Sequence, residues 1–414
     1  MPRILISAGE SSGDDRAAAL LEALKTLVPG VEAFGMGGPQ LAEAGCRLVV
    51  DNSRLHVMGF VEVLAKWGEV KAAFRAMVEA ARAERPDAAV LVDYPGFNMR
   101  LAARLRAMGV RVLYYVSPQV WAWNPGRTKK MGDLCEKVLT LFPFEVGLYE
   151  RAGVAAECVG HPLADELPGD YPAKGAALRE ELLAQKAEGR RQKAEGAPGA
   201  EEPASASSPL HPPPSTFHRE LLALLPGSRP MEIARHLEIF CRASRIIREA
   251  RPGVLPVLAL TAEAPREELA RRAREAAGFD FPVVAGRTRE VLAAADLGLV
   301  VSGTATLEAG LLGCPMVVCY RTGRVNYSLG RLLVMIPSIA LANIVSGRPT
   351  VPELWQGEVN ERRIADSALG LLEDPEARGR MRGALKGLRE KLGPRQSSRR
   401  AAEAVAGTLS KVMA

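Results

Sequence analysis

Short apolar runs alternate with amphipathic stretches along most of the chain. Ile4, Leu5 and Ile6 form a buried-strand run, and the polar stretch Gly9-Glu10-Ser11-Ser12-Gly13-Asp14 follows as a loop. Residues 17–27 then place Leu20, Leu21, Leu24 and Leu27 at helical spacing. The pattern recurs: an apolar strand over 88–92 enters Asp93-Tyr94-Pro95-Gly96, a helix is predicted over 99–108, and another strand over 110–116. Strand, loop, helix and strand in that order predict a parallel sheet wrapped by helices. The rhythm resumes later, with strands predicted over 221–225, 254–260, 297–301 and 316–320 and a helix over about 232–249.

Between these halves the pattern fails. Of the 22 residues 195–216, 16 are Pro, Gly, Ser or Ala, too little apolar surface to offset the entropy of ordering. This stretch is expected to be a disordered surface insertion, preceded by a charged helix over about 185–193. The fold class that follows is α/β, with two Rossmann-like parallel-sheet domains. The predicted layout is an N-terminal α/β domain over 1–170, a charged and Pro/Ala/Ser-rich linker over 171–219 and a second α/β domain over 220–350. A helical tail over 351–414 is expected to pack back on the first domain. At ~150 residues per domain, 414 residues fit that count.

Composition narrows the class. With 48% hydrophobic and 25% charged residues, a fibrous or wholly disordered chain is excluded. A net charge of +6 suits phosphate-bearing ligands or an anionic membrane surface. The six cysteines form no CxxC pair, which argues against a zinc knuckle or a disulfide framework and for a reduced, cytoplasmic setting. The start of the chain turns polar too soon for a signal peptide. The longest uncharged run, 332–347, has 16 residues and contains Pro337, short and broken for a membrane span.

Candidate chemistry gathers where predicted strands end. Ser302-Gly303-Thr304 closes a buried strand and opens a helix at once, so unpaired N–H groups and the helix dipole could hold a phosphate. A simple helix cap explains the same residues equally well. Pro226-Gly227-Ser228-Arg229 also follows a strand, and its Arg can fork onto a diphosphate, although a free surface Arg is commoner. Asp93 is a candidate general base, weighed against an ordinary turn Asp before Pro, with Glu10 and Asp14 as rival carboxylates. Trp121 and Trp123 suit a sugar- or lipid-facing wall, or plain packing. His161 beside Pro162 reads more readily as structural than catalytic. Val57 to Val78 reads as an interfacial helix or a core face: Val57, Phe60, Val61, Leu64 and Trp67 follow helical spacing, with Lys66, Lys71 and Arg75 interleaved. No HExxH, HxxxH or Asp-x-Asp element is found, so no metal is expected.

Taken together these motifs resemble the lipid-A-disaccharide synthases. The resemblance is carried by the 9–14 loop, by Val57-Met58-Gly59-Phe60-Val61-Glu62-Val63, and by Ser117-Pro118-Gln119-Val120-Trp121-Ala122-Trp123. Phe142-Pro143-Phe144-Glu145, Gly160-His161-Pro162-Leu163-Ala164-Asp165, Pro226-Gly227-Ser228-Arg229 and Ser302-Gly303-Thr304-Ala305-Thr306-Leu307-Glu308 add to it. It implies a GT-B glycosyltransferase whose two domains face a cleft, metal-independent, cofactor-free and inverting. The donor would be UDP-2,3-diacylglucosamine and the acceptor 2,3-diacylglucosamine 1-phosphate. The products would be the β-1,6-linked disaccharide 1-phosphate and UDP.

By that resemblance Asp93 is catalytic. Arg229, Ser302, Gly303, Thr304, Glu308, Tyr320 and Asn343 lie on the UDP-sugar side, Tyr320 with Arg321 in the segment near the nucleotide. Glu10, Ser12, Val57, Phe60, Trp67, Trp121 and Trp123 lie on the acceptor and lipid side. The setting would be the cytoplasmic face of the inner membrane of a lipopolysaccharide-making bacterium, held peripherally. A homodimer is carried as an expectation and a nucleic-acid partner is not. The sequence departs from the family pattern with Ser11 for Ala, Gly96 for a second acid, and Ala342 where Pro commonly precedes the Asn. Two other classes compete: another UDP-sugar enzyme such as a transferase or epimerase, and an inactive lipid- or nucleotide-binding homologue.

Overall fold

The computed structural model describes residues 1–55, 67–118, 126–167, 169–195, 220–323 and 338–413. Two compact units emerge among these residues. The first comprises 1–166 with 391–413, and the second 167–323 with 338–390. The stretch expected as a disordered insertion lies outside the described residues from 196 to 219, and the charged stretch before it belongs to the helix Tyr171–Glu195.

The first unit is built on seven parallel strands. They are β1 (Arg3–Ala8), β2 (Glu32–Gly37), β3 (Arg47–Asp51), β4 (Ala88–Val92), β5 (Arg111–Tyr115), β6 (Lys137–Thr140) and β7 (Ala156–Cys158). Their order in the sheet is β3-β2-β1-β4-β5-β6-β7. β4 is buried along its whole length, which is why it reads as a continuous apolar run rather than an alternating one. One face of the sheet packs Leu5, Phe34, Met36, Leu91, Tyr114 and Val138 against Met77, Leu101 and Leu105 from helices. The closing helix Ser397–Met413 packs against Ser11–Leu27 and buries Ala401, Ala402 and Val405.

The second unit holds β8 (Leu221–Leu225), β9 (Leu255–Leu260), β10 (Val283–Ala285), β11 (Leu297–Val301), β12 (Met316–Tyr320) and β13 (Glu353–Trp355). All pairs are parallel and the order is β10-β9-β8-β11-β12-β13. The helix Pro230–Ala250 covers one face with Leu237, Phe240 and Ile247. Ile364, Ala365, Ala368 and Leu372 of the helix Glu361–Glu373 join the same core. The helical tail expected from residue 351 is therefore divided. Its Glu361–Glu373 and Pro375–Lys386 helices belong to the second unit, because their apolar stripes complete that core, and only 391–413 returns to the first.

Both sheets reverse direction of strand order after their first strand, between β1 and β4 and between β8 and β11. At such a point the two turns leaving neighbouring strands diverge to opposite faces, and the crevice between them is where open α/β sheets take ligands.

Candidate active-site turns

In the first unit the crevice is formed by the turns after β1 and β4. Ala8 stands opposite Val92 in the register, so Gly9-Glu10 and Asp93-Tyr94 leave the sheet side by side. Asp93 and Tyr94 both adopt left-handed backbone, with φ of 47° and 48°. Two consecutive non-glycine residues in that region are costly and persist only where surroundings dictate them. The dictating groups are buried. Asn98 Nδ2 donates to the Val92 and Asp93 carbonyls at 3.1 and 2.8 Å, and its Oδ1 accepts from Ser7 Oγ at 2.7 Å. Tyr114 Oη donates to the Asp93 carbonyl at 2.6 Å, and Asp93 N–H donates to Tyr115 O at 2.9 Å.

Asp93 is thereby held half-buried just past the C-terminal end of β4, two residues before the helix Pro95–Ala107. The Tyr94 ring lies flat on Gly9, where a Cβ would stand 2.3 Å from Cδ1. Burial, with Glu10 close by, pushes the Tyr94 phenol above its ordinary pKa. Glu10 and Ser12 are exposed at the start of the Ser11–Leu27 helix. Asp14 drops out as a rival base. It is buried, and its carboxylate accepts from the N–H groups of Gly38 and Gln40 at 2.6 and 3.0 Å, capping a neighbouring helix.

In the second unit the crevice lies between the turns after β8 and β11, since Val300 stands opposite Leu225. Gly227 has φ 113°, and a Cβ there would meet Glu232 Cβ at 2.5 Å. Arg229 caps the helix Pro230–Ala250. Its guanidinium is 53% exposed and 3.6 Å from Glu232, whose other oxygen accepts from Ser228 N–H at 3.2 Å. Across the crevice, Gly303 has φ 153° and caps the helix Thr304–Leu311, with open space over its α-carbon. Ser302 Oγ donates to Ile339 O at 2.7 Å, and Thr304 is exposed. An exposed guanidinium and an open helix start therefore face the same crevice, a pair suited to a diphosphate.

Glu308 lies one turn into that helix and is held by Arg289 at 2.8 Å. Tyr320 ends β12. Asn343 is buried, and its amide is fully used. Oδ1 accepts from Thr350 and Val351 N–H, and Nδ2 donates to Val351 O and Glu353 Oε1. Asn343 therefore holds Glu353.

The Glu353 carboxylate accepts from the N–H groups of Ile339 and Ala340, from Asn343 Nδ2, from Trp355 Nε1 and from the Ser338 hydroxyl. It thus fixes the segment whose Ile339 carbonyl receives Ser302. His236, fully buried, donates from Nδ1 to Glu232 O at 2.7 Å and accepts Arg321 N–H on Nε2 at 2.9 Å. One neutral ring thereby ties the turn after β8 to the end of β12. Sequence reading missed Glu353 and His236. The one local signal was Glu232 three residues after Arg229, a capping spacing.

Other expected residues fall elsewhere. Val57, Phe60, Trp121 and Trp123 lie outside the described residues. Trp67 is 39% exposed, with Lys71 and Arg100 each 5.7 Å from its ring. From Val70 onward the apolar stripe is a core face rather than a membrane face. Val70 and Phe74 pack on the first unit's core, and Met77 and Val78 are buried in it. His161 is buried and stacked on Phe142, its Nδ1 accepts from Leu163 N–H at 3.2 Å, and burial pulls its pKa down to about 3. Asp165 caps the Ser397–Met413 helix through Gln396 and Ser397 N–H. The Gly160–Asp165 motif is thus structural.

Comparison with known proteins gives the fold and the family. Solved structures share the fold: the UDP-bound MnaA of S. aureus (TM-score 0.60, 11% identity, 100% of this chain and 98% of that one) and the calicheamicin glycosyltransferase CalG4 (0.56, 17%, 100% of both). UDP-N-acetylglucosamine 2-epimerases also share it, among them that of Neisseria meningitidis (0.54, 10%, 99% and 100%), so fold alone does not separate transferase from epimerase. Sequence does. The chain is 39% identical to a lipid-A-disaccharide synthase of Myxococcus xanthus (strain DK1622) over 404 residues, 98% of this chain and 97% of that one. It is 38% identical to one of Geobacter sulfurreducens over 409 residues, 99% and 98%. The family model described as lipid-A-disaccharide synthetase matches residues 4–188 and 215–406, passing over much of the Pro-rich stretch between them. The chain is a GT-B glycosyltransferase and belongs to the lipid-A-disaccharide synthetase family.

Proposed function

We infer that the protein transfers 2,3-diacylglucosamine from its UDP conjugate to the 6-hydroxyl of 2,3-diacylglucosamine 1-phosphate, releasing UDP. The observation that carries this reading is the pairing of an exposed Arg229 with the open helix start at Gly303, side by side at the β8–β11 crevice of a family member. As the glycosidic bond breaks, charge grows on the departing diphosphate. Arg229 exchanges Glu232 for that diphosphate, and the N–H groups at Thr304 stabilise it without having to reorganise. Glu308 and Tyr320 complete the nucleotide-sugar side, and Asn343 serves it through Glu353.

Asp93 is the base. Its turn is held so tightly that the carboxylate is placed before substrate arrives, ready to take the proton of the attacking 6-hydroxyl. Glu10 and Ser12, beside it, contact the acceptor head group.

No helix among the described residues is long and apolar enough to cross a membrane. Acylated substrates nonetheless require contact with a bilayer. Trp67 with Lys71 and Arg100 offers an aromatic and two cations for the headgroup region, on a protein held peripherally at the cytoplasmic face. The test is product formation: purified protein, both acylated substrates and EDTA, with mass spectrometry of the lipid. The disaccharide 1-phosphate is expected. UDP release without disaccharide would overturn the acceptor assignment, and no turnover until a divalent metal is restored would overturn the metal-free account.

A further inference from the structure

Two motifs that the transfer mechanism leaves unused, Ser117-Pro118 and Phe142-Pro143-Phe144-Glu145, meet in the first unit. Ser117 and Glu145 are 7% and 3% exposed. Glu145 is the third residue of the helix Pro143–Arg151. Its Oε2 accepts from the N–H groups of Leu141 and Phe142 at 3.2 and 3.1 Å, which caps that helix. The other oxygen, Oε1, accepts from Ser117 Oγ at 3.0 Å, 28 positions earlier in the chain. An exposed Glu meets a cap equally well. Burying the carboxylate carries a desolvation cost that capping does not require.

What the extra bond holds is a strained turn. Val116, just before Ser117, has φ 61°, left-handed backbone that a β-branched residue rarely adopts. Such a conformation persists only where its surroundings dictate it. Val116 N–H donates to Leu139 O of β6 at 3.1 Å, and the next residue is bound to Glu145. On the other side of Val116 lies the support of Asp93. Tyr115 O accepts the Asp93 N–H at 2.9 Å, and Tyr114 Oη donates to the Asp93 carbonyl at 2.6 Å. The end of β5 is thus fastened to Glu145 through Ser117 and to the Asp93 backbone through Tyr114 and Tyr115. Without the Ser117 bond, one restraint on the strained residue is lost, next to the carbonyl that orients Asp93.

We propose that Glu145 is a positioning residue for the transfer reaction: through Ser117 it holds the Val116 turn, and with it the end of β5 that sets Asp93 for proton abstraction. This role rests on Asp93 being the base. Glu145 is buried and acts through Ser117, not on the substrate.

The test measures kcat and donor KM for the full chain carrying Ser117→Ala, Glu145→Gln, Asp93→Asn or Ser117→Ala with Asp93→Asn. Ser117→Ala removes the hydroxyl and leaves the cap in place. Its kcat is expected to fall about 10- to 100-fold, the scale set by misplacing a reacting group by about 1 Å, with donor KM within about twofold of the parent. Glu145→Gln can still cap through its amide oxygen and should show a smaller loss in the same direction. In the Asp93→Asn background Ser117→Ala should cost less than about twofold, because the group it positions is already gone. Urea unfolding checks that the first unit of Ser117→Ala is folded under assay conditions, and Glu145→Gln carries the test if it is not. Both single variants within about twofold of the parental kcat would reduce Glu145 to a helix cap and overturn the proposal. So would an undiminished loss from Ser117→Ala in the Asp93→Asn background, which is what general loosening of the first unit would produce. Asp93→Asn at the parental rate would overturn the base assignment itself, and this role with it.

Discussion

Asp93 shows what a single residue costs and gains. Its left-handed backbone is maintained by Asn98 and Tyr114, which spend their polar groups on its carbonyl. Asn tolerates the same backbone, so Asp93→Asn should keep the turn and remove only the proton acceptor. Turnover is expected to fall on the order of 10²–10⁴-fold with the UDP dissociation constant unchanged. Single-turnover rates and UDP titration check this, and a variant within a few-fold of the parent rate would dismiss Asp93 as the base. Glu353 makes the complementary case. Its carboxylate accepts from three side chains and two backbone N–H groups. Glu353→Gln would turn an amide N–H₂ toward donors, at a cost of about 1–3 kcal/mol. Because the segment it holds receives Ser302, KM for the UDP-sugar should rise about tenfold while kcat moves less. Steady-state kinetics that lower kcat and leave KM alone would show that Glu353 does not act through the anion turn.

At the scale of elements, what could be read from sequence was set by how abruptly an apolar run stops. β4, β8, β11 and β12 are uninterrupted apolar runs ending in polar turns, and the strands expected over 88–92, 221–225, 297–301 and 316–320 match them residue for residue. β2 escaped notice because two of its six residues are glycines. Gly35 is there for a tertiary reason that no local pattern carries. Its φ is 153°, and a Cβ would stand 1.9 Å from the Ile6 carbonyl oxygen of β1. β10 and β13, at three residues each, are too short to show a period. The crevice turns were legible, but their supports were not. The bonds by which they act are long-range: Glu353 holds Ile339, Ala340 and Asn343, 10 to 14 positions away, and His236 holds Arg321, 85 positions away. Two glycines turn this into a measurement. Gly35→Ala should cost roughly 3 kcal/mol or more, because the clash is with backbone that cannot step aside. Gly96→Asp, where nothing lies within 4 Å of the added Cβ, should stay within about 0.5 kcal/mol. Urea unfolding of both variants decides. Equal losses would mean that β1 can step away from Gly35 at little cost.

At the scale of the whole molecule, each unit encloses one neutral imidazole among the described residues: His161 in the first, buried beside Phe142, and His236 in the second, buried between Glu232 and Arg321. Burial lowers both pKa values, that of His161 to about 3. In the unfolded chain each takes up a proton near pH 6.5. Below that pH the unfolded state binds more protons than the folded one, so stability must fall as pH drops. The contribution is complete above about pH 6.5 and is lost progressively on acidification, down to about pH 3 for His161. The slope is at most about 1.4 kcal/mol per pH unit for each ring. Each ring also accepts one backbone N–H, from Leu163 and from Arg321, which a neutral amide can accept in its place. His161→Asn and His236→Gln should therefore preserve the fold at pH 7.5 and flatten the fall in urea midpoint between pH 7 and 5. Each should act on the transition of its own unit. If the double variant lost stability with acid as steeply as the parent, the buried histidines would not be the source.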